Sequence, residues 1–275
     1  MREISVTVIE NEICALLKRI CVELPEDTLK AIEKAYNCEE TDYARSNLKM
    51  ALDNEEISKR DNMPVCQDTG MVTVFCEIGQ DVHICDGSFV EAINNGVRKA
   101  YVDFRKSVLT PIDRVNTGDN TPAVIHTSIV EGDKIKLIVA PKGFGSENMS
   151  ALKMLKPSQG IEGIKNFVVD TVKVAGSNPC PPVVVGVGIG GTMEKAAVMA
   201  KHSLAVSERS KDEKIFELEE ELLAKINKLG IGPQGMGGKV TALNVFVETY
   251  PTHIAGLPVA VNIQCHCARH GEVII

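Results

Sequence analysis

Alternating stretches of helical and strand periodicity predict an α/β protein, with mixed β-sheets surrounded by helices. Three observations carry this. Apolar residues recur at helical spacing through the first sixty residues and again over 161–175 and 192–205. Short apolar, β-branched runs at 71–78, 123–130, 183–185 and 257–263 separate those helices. The 275 residues are 44% hydrophobic and 24% charged, enough to bury a substantial core. No internal repeat, low-complexity tract or linker interrupts them, so a single domain over 1–275 is expected, with a helical lead segment covering about 1–60.

Taken in order, 5–20 and 26–36 read as helices, the second opened by Pro25. The run 42–59 has the same character and ends in charge. Residues 64–70 form a loop and 71–78 a strand. Ser88 caps a helix over 87–104, with Phe89, Ile93, Val97, Ala100 and Tyr101 on its apolar side. Two strands, 123–130 and 133–140, read as a hairpin turning at Glu131-Gly132. After a glycine-rich segment at 142–148 come a helix over 161–175 and a short buried strand at 183–185. Gly186 to Gly191 then reads as a tight turn into a helix over 192–205. Residues 208–229 are amphipathic, with Ile215, Leu218, Leu222, Leu223 and Ile226 on one face, and read as a solvated surface helix. Strands at 240–247 and 257–263 complete the chain.

The bulk numbers exclude several classes of function. A net charge of -7 and no basic run argue against a nucleic-acid partner, as does a 4% aromatic content without Trp. No apolar run approaches the roughly 18 residues that span a bilayer. The opening Met-Arg-Glu, followed by Glu10 and Glu12, does not read as a signal peptide, so no membrane and a cytoplasmic location are expected. Nine cysteines, an odd number, make a disulfide framework improbable in that compartment. Cys14 and Cys21 fit helix packing and Cys76 strand packing; Cys38 and Cys85 have no constellation around them.

Three cysteines differ from these. Cys66 lies in Pro64-Val-Cys-Gln-Asp-Thr-Gly70, Cys180 in Asn178-Pro-Cys-Pro-Pro182, and Cys265 in Asn262-Ile-Gln-Cys-His266. Soft thiolates on three separate loops suit a metal cluster with one coordination place left open. Gln67 and Asp68 tie an amide and a carboxylate directly to the first thiol. Arg105 and Arg114 are candidates for a bidentate pair with a substrate carboxylate. Lys142-Gly-Phe-Gly145-Ser-Glu-Asn148 reads either as an anion-cradling glycine loop or as a plain connection, and His253 sits in a constrained loop twelve residues before Cys265.

Competing readings fit less well. Gly186-Val-Gly-Ile-Gly-Gly191 follows a strand and opens a helix, yet no second strand ending in an acid follows, so a dinucleotide site is disfavoured against a tight strand-to-helix turn. Cys265-His-Cys267 has no second Cys pair to complete a usual zinc site. Four thiolates at ferredoxin-like spacing are also absent.

The chain resembles the α-subunit, or N-terminal part, of the iron–sulfur hydro-lyases that include class I fumarate hydratases and L(+)-tartrate dehydratases. The resemblance rests on the three cysteine segments, on Arg114-Val-Asn-Thr-Gly118-Asp-Asn120-Thr-Pro122, on the 142–148 segment, on Val183-Val-Val-Gly186-Val-Gly-Ile-Gly-Gly191, and on Thr252-His253. It implies an α-type fold of that family and a [4Fe–4S] cluster held through three irons by Cys66, Cys180 and Cys265, rather than Cys267. It also implies that Gln67, Asp68, Arg105, Gly145 and His253 meet a small dicarboxylate, Asp68 acting in acid–base chemistry. Fumarate hydratase is the expected activity, with L(+)-tartrate dehydratase as the alternative and a structural zinc or iron–sulfur redox module as the alternative of a different class. Single-chain members continue into a second half that supplies further arginines, a lysine and a hydroxyl. The resemblance therefore implies a β-type partner subunit, in an α2β2 assembly, to complete the site.

Overall fold

A computed structural model describes residues 1–275. In chain order its elements begin with β1 (Arg2–Ser5), α1 (Val6–Val22), α2 (Glu26–Cys38), α3 (Asp42–Asp61), β2 (Met71–Gly79), β3 (Val82–Cys85) and α4 (Phe89–Ala100). Next are β4 (Val124–Val130), β5 (Ile135–Lys142), the one-turn α5 (Phe144–Glu147), β6 (Ala151–Leu155), α6 (Gly160–Ala175) and β7 (Val183–Gly190). The chain ends with α7 (Met193–Val206), α8 (Glu213–Asn227), β8 (Ala242–Tyr250), β9 (Leu257–Gln264) and β10 (Gly271–Ile274). Helix starts follow local chemistry. The Ser5, Ser88 and Asp212 side chains each accept a first-turn N–H that has no helical partner. No helix is long and apolar enough to cross a membrane.

These elements gather into two compact units. The first holds Met1–Pro25, Glu55–Phe144 and Arg269–Ile275; the second holds Glu26–Asn54 and Gly145–Ala268. Both are discontinuous in sequence, so no linker marks a boundary, and the helical lead segment contributes to both.

In the first unit a four-stranded sheet runs β10–β5–β2–β4, beside a small parallel pair of β1 and β3. Alternation along β2 places Val72, Val74 and Cys76 in one core with Leu137 and Val139 of β5. Ile9, Ile13 and Leu17 of α1 and Ile93 and Val97 of α4 complete that core. The helices lie close: a side-chain carbon at Gly96 would stand 2.7 Å from the Glu10 carbonyl oxygen. Cys21 and Cys76 are buried as expected, and burial pushes the Cys76 thiol up to about 12.

Two expectations need correction here. Helix α4 stops at Ala100, short of residue 104, and Tyr101 follows fully buried. Nor do β4 and β5 form a hairpin. Strand β2 lies between them, parallel to β4 and antiparallel to β5. Residues 131–134 instead arch over the end of β2, held by Gly79 N–H to the Lys134 carbonyl and Asp81 N–H to the Gly132 carbonyl. A side chain at Gly79 would strike the Gly132 carbonyl at 2.4 Å. Strand periodicity shows where a strand is, not which neighbour it takes.

The second unit has a sheet ordered β6–β9–β7–β8, with β7 parallel to β8 and antiparallel to β9. Val183, Val185 and Val187 face a core with Val261 and Ile263 of β9, Val168 and Val172 of α6, and Leu222 and Ile226 of α8. The alternate residues Gly186 and Gly188 face α7. Side-chain carbons there would lie 2.1 Å from the carbonyl oxygens of Ala200 and Ala196. The glycine run is therefore mostly strand interior, pressed against a helix, and only its end turns. Helix α8 is the amphipathic surface helix expected, with Glu213, Lys214, Glu217 and Glu220 exposed and its apolar face turned inward. It buries Leu218, Leu222 and Ile226 together with Glu219, whose carboxylate pairs with Arg209 at 2.7 Å and accepts the Val247 N–H at 2.9 Å. A buried carboxylate needs such partners to offset its desolvation.

Candidate active site

Within the first unit, Val65 is fixed by its N–H on the Cys21 carbonyl, and the chain then turns through Cys66, Gln67 and Asp68 into β2. Cys66 is half-buried and Gln67 exposed, with the thiol 3.5 Å from the Gln67 side-chain oxygen. Asp68 is the most constrained of the three. Its Oδ1 accepts the Gly70 N–H at 3.0 Å, an Asx turn, and its Oδ2 accepts the Phe144 N–H at 2.8 Å. Each oxygen keeps a lone pair, so the carboxylate is aimed without being saturated.

The following residues tie a second loop to this one. Thr69 Oγ1 donates to the Arg105 carbonyl at 2.6 Å. Fully buried Asn120 donates to the Gly70 carbonyl at 3.1 Å and accepts the Ser107 N–H at 2.8 Å. Asn120 holds a left-handed backbone, φ 62°, which Asn tolerates better than most residues. Arg105 is thereby set beside Cys66–Gly70, with its guanidinium exposed and in no ion pair. Arg114, by contrast, caps the tight turn at 110–115, its N–H on the Thr110 carbonyl.

The second unit carries Gly145, Cys180, His253 and Cys265. Cys180 is exposed, at φ 53°, between the end of α6 and the cis Pro181–Pro182 bond. Its carbonyl accepts from His266 Nδ1 at 3.0 Å, so the loop carrying Cys180 and the loop carrying Cys265 are joined. Bonded to a carbonyl, that Nδ1 must carry the proton, so Gln234, 3.4 Å away, donates instead to the Pro181 carbonyl. Gln234 belongs to a glycine-rich stretch, 230–238, that braces this corner. At Gly235 a side-chain carbon would stand 2.2 Å from Ser177 Cβ.

Cys265 is half-buried and Cys267 is buried at 6% exposure. Of the pair, Cys265 is the more accessible thiol. His253 lies in an exposed turn at 251–256 and accepts the Ala255 N–H on Nδ1 at 3.2 Å. Its neutral ring then carries the proton on Nε2. Thr252 anchors the turn by donating to the Gly191 carbonyl at 2.9 Å. At Gly145 an added side-chain carbon would meet nothing within 4 Å, so the protein's own packing does not call for glycine there.

Glu147, two residues on, pairs with Lys201 of α7 and accepts from Asn262 Nδ2 at 2.8 Å. Asn262 and the Ile263 N–H also bond Ser150 Oγ at 3.1 Å. This network fastens the segment after Gly145 to the strand that leads to Cys265. None of the nine cysteines is disulfide-bonded, and within each unit no three His, Cys, Asp or Glu side chains gather as a metal-binding group.

Sequence reasoning missed Thr69, Asn120, Glu147, Gln234, Asn262, His266 and Arg269 as supports. Most lie inside the segments already singled out, beside residues of more obvious chemistry, so position within a motif was the available signal. Only Gln234 and Arg269 lie outside them.

The fumarate hydratase (Fumerase) family profile matches residues 10–274. A provisionally named L(+)-tartrate dehydratase subunit alpha of Methanocaldococcus jannaschii is 45% identical over 271 residues, covering 95% of each chain. The L(+)-tartrate dehydratase subunit alpha of Escherichia coli strain K12 is 31% identical over 264 residues, 93% of this chain and 87% of its own. That of Escherichia coli O157:H7 is 30% identical over the same shares.

Proposed function

The chain belongs to the fumarate hydratase (Fumerase) family, and on that premise we propose that it is the α-type subunit of a hydro-lyase acting on a four-carbon dicarboxylate. The reaction proposed is the reversible addition of water to fumarate, giving (S)-malate. The observation that carries the reading is Asp68: a carboxylate held on both oxygens by backbone amides, two residues after a loop thiol and beside an unpaired arginine.

Cys66, Cys180 and Cys265 are proposed to hold a [4Fe–4S] cluster. The donor set fits: three thiols, none in a disulfide, on loops that other groups hold by backbone bonds, while Cys267 packs inside. When bound, such a cluster supplies one open iron as a Lewis acid for a hydroxyl and a carboxylate. The chain's own residues do the rest. Asp68 exchanges a proton with the carbon beside the substrate carboxylate. Arg105 forms a bidentate pair with the distal carboxylate. His253 Nε2–H and the Gln67 amide fix orientation, and so which face reacts.

A second reading, L(+)-tartrate dehydration, is favoured by the names of the relatives, whereas the family name favours fumarate. A β-type partner in an α2β2 assembly belongs to the same proposal, because the relatives are named as alpha subunits. Ile112 and Ile254, 89% and 91% exposed next to the candidate site loops, are apolar positions a partner would cover. The test is anaerobic co-expression with a β-type chain, then kcat/KM on fumarate, malate and L(+)-tartrate. Turnover is expected from the pair and not from the isolated chain, with fumarate and malate preferred. A much higher kcat/KM for tartrate establishes the second reading. Robust turnover by the 275-residue chain alone refutes the need for a partner.

A further inference from the structure

We infer that Arg269 is a positioning residue for Asp68, an inference that rests on the reading of Asp68 as the acid–base group. Arg269 is 2% exposed and is the largest fully buried side chain. A guanidinium cannot shed its charge at any ordinary pH, so burying it is costly unless the surroundings use it. Here its Nη2 donates to the Asp68 carbonyl at 2.7 Å.

The same cation and the Asp68 carboxylate both border Gly143. A side-chain carbon at Gly143 would fall 3.2 Å from Asp68 Oδ2 and 3.8 Å from Arg269 Nη2, so it would crowd both groups. Tyr101, also fully buried, donates its hydroxyl to the next carbonyl, that of Thr69, at 2.7 Å. Consecutive carbonyls are thus held from behind by Arg269 and Tyr101, while the Asp68 oxygens are held in front by Gly70 and Phe144. The peptide after Asp68 cannot rotate without breaking several of these bonds. Arg269 is not proposed to touch the substrate. It acts through Asp68.

The test uses the anaerobic complex with its β-type chain and three variants, Arg269→Met, Arg269→Lys and Gly143→Ala. The first removes charge and donor, the second keeps charge without the fork, and the third crowds both groups. Two readouts are taken: kcat with KM, and residue-resolved amide exchange at Gly70 and Phe144. Phe144 is 46% exposed, so the bond to Asp68 is what shields its N–H. In Arg269→Met, kcat falls by roughly 10–100-fold with KM within about threefold, and both amides exchange about tenfold faster. Arg269→Lys recovers part of each, and all variants keep the parent's iron content.

Parent-like kcat and exchange in Arg269→Met overturn the inference. Should that variant not fold, the other two decide, and unchanged Phe144 exchange in both overturns it. Failure of Arg269→Lys to fold or bind iron also overturns it, by making the residue merely structural. Amide exchange that responds in a complex inactive on all the dicarboxylates leaves the positioning intact and sinks the hydro-lyase reading instead.

Discussion

The two units share one sheet wiring. In each, a central strand (β2 or β7) has a parallel neighbour reached through a helix (β4 or β8). On its other side stands an antiparallel strand (β5 or β9), which carries a fourth, antiparallel, at its outer edge (β10 or β6). What differs is the covering. In the first unit the crossover helix α4 packs on α1, and the apolar residues of β2 that meet them are full-sized. In the second, α6 and α8 cover one face and α7 presses onto the other, so β7 alternates valine with glycine. The lesson is that topology repeats without sequence repeating, because what a strand must bury depends on the helix laid upon it.

The largest expected effect separates the chemistry of the two units. Asp68→Asn, in the first, keeps the shape but replaces one amide acceptor and removes the proposed acid–base group. It should lower kcat by on the order of 10²–10⁴ with iron content unchanged. His253→Ala, in the second, removes one proposed contact to the substrate and should cost roughly 10–100-fold in kcat/KM, mostly through KM. Steady-state kinetics on both variants checks the order. Equal losses in kcat would show that the two residues share the proton transfer.

Packing distinguishes the units next. Gly188→Ala drives a carbon into the Ala196 carbonyl, so α7 must lift. A loss of about 1–3 kcal/mol is expected, read as a lower urea midpoint. Amide exchange should quicken in β7 and α7 and stay unchanged in α1 and α4. Acceleration spread evenly over the chain would mean that the two units open as one.

The smallest effect concerns the loop that carries Arg105. Asp119 holds its end, bonding Arg98 and the N–H and hydroxyl of Thr121. Partial burial opposes the charge, but those donors together outweigh it and hold the carboxyl at about 2, below its ordinary 3.8. A depressed value means the stabilisation is full above about pH 4 and is lost as pH falls toward 2. Asp119→Asn should flatten that acid limb and shift the neutral melting temperature only slightly, the pair being partly exposed. An unchanged acid limb would assign the pH dependence to other carboxylates.

The sequence carried the helices well, because their signals are local: Ser88 and Ser5 cap where a hydroxyl before an apolar run should. It also isolated the loops of Cys66, Cys180 and Cys265. It misread what depends on a distant neighbour. The glycines of β7 look like a turn until α7 is seen against them, and nothing within α8 announces that Glu219 is buried and bonded to Val247. Strands β4 and β5 look like a hairpin because the strand between them is contributed by residues fifty positions earlier. Arg269 was passed over for a similar reason, since nothing in Cys-Ala-Arg-His announces that the arginine is buried behind Asp68.

The proposal's central point is that Cys66, Cys180 and Cys265, and not Cys267, are cluster ligands. Iron and acid-labile sulfide measured in anaerobically purified chain, and in its four Cys→Ser variants at 66, 180, 265 and 267, test it most directly. The parent and Cys267→Ser should each carry about four irons and four sulfides, with a three-iron signal in electron paramagnetic resonance after mild oxidation, and the other three variants should carry none. Stoichiometric zinc in place of iron, or loss of iron in Cys267→Ser with Cys265→Ser intact, would contradict it.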